Sequence, residues 1–278
     1  EKVFEIAVAQ LNLLRPELIM NVADLIVGDS KDEAGLAAEW DSFDKRAQAS
    51  FAPVFYAGGN HDLTGEMLRK VWGERYGPTY YHFVYKDVLF LVLDTEDNTS
   101  ERITEIARLR NEAIATFRAE GEEAFGQTPY AALPERTAGS ISAEQSKYFR
   151  DVLAAYPDVR WTFLFLHKPI WNRQDQDGFL AIEDALAGRP YTVFFGHRHD
   201  YSYEERKGRD YIGLATTGGL QFPESDKSMD HVTLITVSQG GVDIANLKMA
   251  GILDKSGQVP LGGNQICFEA YSCSEIDR

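Results

Sequence analysis

Through the first two thirds of the chain, short apolar runs alternate with longer stretches of helical periodicity. Leu18 to Val22 reads as a strand, and Pro53 to Ala57, Trp161 to Leu166 and Tyr191 to Phe195 read as buried strands. Tyr80 to Tyr85 and Val88 to Leu93 predict a hairpin turning at Lys86-Asp87. Between these runs, apolar residues recur at helical spacing. Val3, Ile6, Ala7, Ala9, Leu11 and Leu14 mark a helix over Glu1 to Leu13. Leu36, Trp40, Phe43 and Ala47 mark another within Lys31 to Ser50, and Met67, Leu68, Val71 and Trp72 a third over Gly65 to Tyr76. Ser142 to Gln145 resembles a capping box opening a helix through Phe149, Val152 and Leu153, which Pro157 ends. Gly178 to Ala187 predicts a short helix. This alternation is that of an α/β protein.

Two regions depart from it. Residues 98–140 carry a charged helix over Ser100 to Glu120 and then a loop rich in Gly, Pro, Thr and Ala. They read as an insertion over the site or on the surface, not as a separate domain. Downstream, Tyr211 to Thr216, His231 to Val237 and Val242 to Leu247 predict strands in succession, hence a second sheet packed on the first. Residues 251–278 lose periodicity and read as an irregular tail, so the expectation is one domain over 1–278. The chain opens on a helix where a parallel sheet would open on a strand. A leading strand, with any targeting peptide before it, is therefore expected upstream, and location is left open.

Composition narrows the function. A 44% hydrophobic content is ample for a large core, and no apolar run reaches the ~18 residues of a membrane span. A formal charge of -15 disfavours nucleic acid, whose binding rests on Lys and Arg displacing counterions. It remains compatible with a small phosphorylated substrate or a phosphoprotein held through metal ions. Oligomeric state is left open. The cysteines, Cys267 and Cys273, are spaced so that either a local disulfide or two incidental thiols fits.

The chemistry collects at strand ends. Gly58-Gly59-Asn60-His61-Asp62 follows one apolar run, His167 another, and Gly196-His197-Arg198-His199 a third. In extended backbone, positions i and i+2 face one side, so His197 and His199 are expected to converge. Asp24 closes the first strand and is preferred as a ligand over Asp29 in the following loop. Asp24, Asn60, His167, His197 and His199 make a mixed oxygen and nitrogen donor set without cysteine, suited to Mn, Fe or Zn.

The order Ala23-Asp24, Gly59-Asn60-His61-Asp62, a strand-end His167, then Gly196-His197-Arg198-His199 resembles the calcineurin-like metallophosphoesterase superfamily. The resemblance implies a four-layer α/β/β/α sandwich with two metal ions. It makes Asp24 the bridge, Asn60, His167 and His197 the ligands of the second ion, and His199 a ligand of the first. His61 would assist the leaving group, oriented by Asp62, while a hydroxide between the ions attacks phosphorus in line. Two features depart from the family pattern. No Asp-x-His precedes Asp24, which fits the expected upstream strand, and Ala23 stands where the family has glycine.

The expected activity is hydrolysis of phosphate monoesters or diesters, with monoesters preferred. The alternative is a binding or regulatory protein of the same fold that has lost one metal site. His82 and His231 read as structural histidines, and Asp94 as a strand-end cap. Trp171, Asn172, Arg173 and Arg198 read equally as substrate contacts or as packing and surface residues. The acidic helix over Glu101 to Glu123 reads as a solvated face.

Overall fold

A computed structural model describes residues 1–30 and 32–273. Lys31 and the last residues of the expected tail, 274–278, lie outside the described residues. The chain groups into two compact units: Glu1–Asn21, Asp41–Phe55 and Arg198–Arg278 in the first, Val22–Trp40 and Tyr56–His197 in the second. In chain order the elements begin with α1 (Lys2–Leu14), β1 (Ile19–Asn21), α2 (Glu33–Ala47) and β2 (Val54–Tyr56). They continue with α3 (Asn60–Leu63), α4 (Glu66–Tyr76), β3 (Tyr81–Tyr85), β4 (Val88–Val92) and α5 (Ser100–Glu120). Next come α6 (Glu122–Gly126), α7 (Ala143–Ala155), β5 (Trp161–Phe165), α8 (Asp177–Ala185) and β6 (Tyr191–Phe195). The last are β7 (Ser202–Arg206), β8 (Arg209–Gly213), β9 (His231–Ser238) and β10 (Gly241–Lys248).

The second unit carries the sheet on which the chemistry is mounted. β3 and β4 pair antiparallel, while β4–β5 and β5–β6 pair parallel, giving a mixed sheet. Every residue of β4 and β6 is buried, which is why both read as unbroken apolar runs. One face carries stacked rings: Phe83 on Phe90 at 4.6 Å, Phe90 on Phe165 at 6.3 Å, and Phe165 on Phe194 at 5.5 Å. The hairpin turns at Lys86 and Asp87, whose φ values of 48° and 60° supply the twist a two-residue hairpin turn needs. α2 and α4 meet through Trp40, which packs on Trp72 at 5.8 Å and on Tyr76 at 5.2 Å. α7 is capped by Ser142, whose side chain accepts from the Gln145 N–H at 3.1 Å.

α5 spans the expected residues but is not simply a solvated face. Ile106, Leu109 and Ala113 bury one side of it with Tyr130, and Arg110 is buried on the same helix. Asp94 does cap: it accepts the Glu96 N–H at 2.8 Å and pairs with Arg69 at 2.8 Å. His82 is held by the Tyr148 hydroxyl at 2.7 Å.

In the first unit, Ile6 and Ala7 of α1 pack with Met249, Val259 and Phe268. β7–β8 and β9–β10 are antiparallel hairpins. The strand expected from Tyr211 begins two residues earlier, and its partner β7 was not legible because Ser-Tyr-Glu-Glu-Arg has one apolar residue. From Met249 on, the described chain forms only 3₁₀ turns. Cys267 and Cys273 form a disulfide, with Cα atoms 6.1 Å apart, closing a loop around Phe268.

His231 carries a pH dependence. Its Nε2 accepts the Ala215 N–H at 3.0 Å, and burial lowers its pKa from 6.5 to about 4. The unfolded chain therefore binds a proton that the folded chain refuses. Stability from this site is complete above about pH 6.5 and is lost as pH falls towards 4, by a ceiling of roughly 3 kcal/mol. His231→Gln keeps an acceptor for Ala215 and cannot titrate. The stability advantage of the wild type over this variant is expected to shrink between about pH 7 and about pH 4 in urea unfolding. A constant difference contradicts the assignment.

Candidate metal centre

Four donor atoms of the second unit converge on one point. From His167 Nε2, Asp24 Oδ2 is 3.0 Å away, Asn60 Oδ1 3.1 Å and His197 Nδ1 3.2 Å. Asp24, His167 and His197 place their donor atoms within 4.8 Å of one another. His167 follows β5, His197 follows β6, and Asn60 opens α3 just after β2. Gly59 is required there for close approach: a Cβ would lie 2.3 Å from Asp24 Oδ1 and 2.9 Å from His167 Cδ2.

Backbone carbonyls decide which nitrogens are free. A carbonyl can only accept, so His167 Nδ1–H donates to Val22 at 3.4 Å and His197 Nε2–H donates to Arg136 at 2.6 Å. His167 Nε2 and His197 Nδ1 then face each other as lone pairs, beside two side-chain oxygens. Such a set repels itself unless a cation or a proton lies among its members. Donors about 2.0–2.2 Å from one ion stand about 3 Å apart at neighbouring octahedral positions and about 3.4 Å apart in a tetrahedron. The observed 3.0–3.2 Å fits a transition-metal ion. Without an ion, a proton takes its place. Burial disfavours the His167 imidazolium, but the charge and hydrogen bond of Asp24 outweigh it and raise the His167 pKa. Burial works against the Asp24 carboxylate too, and His167 and then His61 hold its pKa well below the usual range. Burial, then His167 and Lys168, push His197 well down.

The Asn60-His61-Asp62 turn forms a short helix, α3, which hydrophobic periodicity could not reveal. Its Asp62 corrects one expectation. The carboxylate does not orient His61; it accepts the amides of Asp24 at 2.8 Å, Leu25 at 2.9 Å and Gly59 at 2.9 Å. Asp62 thus ties the Asp24 loop to the strand end that carries Asn60. Burial and then the charge of Asp24 push its pKa up to about 7, against the pull of those amides. His61 is oriented instead by Val27, whose carbonyl accepts from Nδ1–H at 2.6 Å. Burial lowers the His61 pKa, and Arg110 adds to this, its Nη2 lying 3.3 Å from Nδ1. Gly28 must be glycine at this loop: its φ is 66°, and a Cβ would fall 1.8 Å from the His61 carbonyl oxygen. Asp29, the competitor of Asp24, pairs with Arg118.

His197 and His199 correct a second expectation. Their φ values of 73° and 56° are left-handed, so the extended-strand reason for their convergence does not apply. His199 belongs to the first unit, where its Nδ1–H donates to the Leu220 carbonyl at 2.7 Å and leaves Nε2 as the free nitrogen. Phe222 lies 6.1 Å from its ring. Of the residues with open readings, Trp171 packs on Phe195 at 5.1 Å, and Arg173 pairs with Asp175 at 3.1 Å. Asn172 and Arg198 are exposed.

The family model for calcineurin-like phosphoesterases matches residues 2–201. The chain belongs to this family. Phosphoester hydrolysis is the family's general activity, and the resemblance carried by the two histidine motifs holds. No curated protein matches the phosphoesterase by sequence. Among solved structures it is similar to a dimetal phosphatase from Danio rerio, with a TM-score of 0.58 and 13% identity over 89% of this chain and 88% of that one. It is also similar to the purple acid phosphatase PPD1 from yellow lupin seeds, with a TM-score of 0.52 and 13% identity. That match covers 92% of this chain and 47% of the lupin one. At this identity the likeness is one of fold, the mixed α/β fold with a mixed central sheet. Among the described residues no helix is long and apolar enough to cross a membrane.

The phosphoesterase holds strain at its centre. Ala23 and Asp24 have φ values of 78° and 53°, which side chains with a Cβ adopt at a cost. Ala23→Gly is expected to raise stability by about 1 kcal/mol, measured on the metal-free protein in urea. A loss of stability would contradict the left-handed assignment.

Proposed function

We propose that the protein is a metal-dependent phosphoester hydrolase in which Asp24, Asn60, His167 and His197 hold one cation. His199, whose Nε2 is left free by the Leu220 carbonyl, would be a ligand of a second cation. The supporting observation is the cluster of four donor atoms around His167 Nε2, with its imidazole lone pairs set by the carbonyls of Val22 and Arg136. Cations held there supply charge that polarises a phosphoryl group and makes water acidic enough to react near neutral pH. The chain's own residues do the rest. Asp62 fixes the Asp24 loop through backbone amides, so Asp24 meets the cluster already oriented. Val27 fixes His61 through Nδ1–H and leaves Nε2 to face the departing oxygen; there it would give up a proton from the imidazolium form, which burial disfavours and the charge of Asp24 favours. The substrate is a small phosphate ester or a phosphoprotein, with monoesters preferred.

Metal analysis alongside hydrolysis of generic phosphate mono- and diesters tests this reading. Bound Mn, Fe or Zn with turnover that a chelator abolishes supports it. Protein that stays metal-free in metal-replete buffer, and is inert, contradicts it. One bound cation without turnover favours the binding-protein alternative.

A further inference from the structure

The segment 98–140 makes one attachment to a residue of the centre and two to residues beside it, all within the second unit. The Arg136 carbonyl accepts from His197 Nε2–H at 2.6 Å. The Glu135 carbonyl accepts from Lys168 Nζ at 2.7 Å, on the residue next to His167. Arg110, on α5, donates to the Gly28 carbonyl at 3.4 Å, in the loop that lies against the His61 backbone. The strap that carries Arg136 is itself fastened. Arg102 grips both carboxylate oxygens of Glu135, Nε to Oε1 at 3.2 Å and Nη2 to Oε2 at 2.8 Å. Arg173 lies 3.6 Å from Oε1 on the other side. Beyond the turn, Gly139 N–H donates to Pro169 at 3.2 Å and Ser140 N–H to Thr95 at 3.0 Å. Glu135 is 6% exposed, an unusual place for a carboxylate in a segment so polar.

We propose that this segment is a positioning element of the centre, and that Glu135 sets His197 through the Arg136 carbonyl. The proposal rests on the metal-centre reading above. Glu135 touches neither the donor cluster nor a substrate. Its ion pairs hold the Pro134–Arg136 turn where the Arg136 carbonyl meets His197 Nε2–H. That bond keeps the proton off Nδ1, the nitrogen facing His167. If the strap shifts, the imidazole can turn or exchange tautomers, and the cluster loses one of its four donors. Partners that orient a metal-bound histidine in this way govern affinity by roughly 10–100-fold.

The test is metal affinity by chelator competition for the full chain, in Glu135→Gln and, independently, in Arg102→Met. Arg102 is on the partly exposed side of the clamp, so this variant retains the fold should the buried substitution not. Both are expected to bind Mn or Zn about 10–100-fold more weakly while the metal-free protein stays cooperatively folded, at a lowered unfolding midpoint because one partner of a buried ion pair is removed. Nitrogen NMR of the His197 ring is expected to show loss of the single tautomer protonated on Nε2. Turnover is expected to recover at saturating metal, because no reacting group is removed. Wild-type affinity and an unchanged His197 tautomer in a folded Arg102→Met variant would overturn the positioning role. A wild-type protein that binds no metal would instead overturn the centre itself, and this inference with it.

Discussion

Lys168→Met is expected to lower stability by about 3–5 kcal/mol, on the order of 10 °C in the unfolding midpoint. Lys168 is 2% exposed and Glu96 5% exposed, so neither charge meets solvent. Lys168 Nζ lies 2.8 Å from Glu96 Oε1 and 2.9 Å from Oε2, and donates to the Glu135 carbonyl as well. Burial pushes the Glu96 pKa up, and Lys168 opposes it. A methionine fills the space but leaves Glu96 with no cation, so Glu96 must either remain as an uncompensated charge or take up a proton. Lys168→Met combined with Glu96→Leu is expected to recover much of the loss, because the penalty belongs to the orphaned partner. A loss below about 1 kcal/mol for the single variant would show that the pair behaves as a surface one.

His61→Ala is expected to slow turnover by roughly 10²–10⁴-fold while metal content stays at the wild-type level. The division follows from geometry. His61 Nδ1 is held by Val27, its bond to Asp24 Oδ1 comes from the backbone N–H and survives truncation, and its neighbours Asn60 and Asp62 keep their contacts through their own side chains. The loss is expected in kcat, and to be smaller for a substrate whose leaving group needs no proton. Loss of metal in this variant would place His61 among the ligands and contradict its role as a proton donor.

The strand ends of the second unit were legible because β4, β5 and β6 are buried on both faces and leave unbroken apolar runs. The clustered polar residues were legible for a related reason, since polar side chains directly after such runs stand out. What could not be read is backbone chemistry. The carbonyls of Val22, Val27, Arg136 and Leu220 choose the free nitrogen of four histidines, and a carbonyl has no letter in a sequence. The same limit hid the role of Asp62, whose partners are amides. Left-handed backbone at Ala23, Asp24, His197 and His199 falls on residues that carry no signal for it, unlike glycine. Arg110 was concealed in a helix so charged that it read as a solvated face, and Glu135 in a loop of Gly, Pro, Thr and Ala without periodicity.

Anomalous diffraction from crystals grown with Mn or Zn tests the central claim most directly. The account predicts an ion within about 2.0–2.3 Å of Asp24 Oδ2, Asn60 Oδ1, His167 Nε2 and His197 Nδ1 together. An ion held by His197 through Nε2, or bound only away from these four atoms, would contradict it.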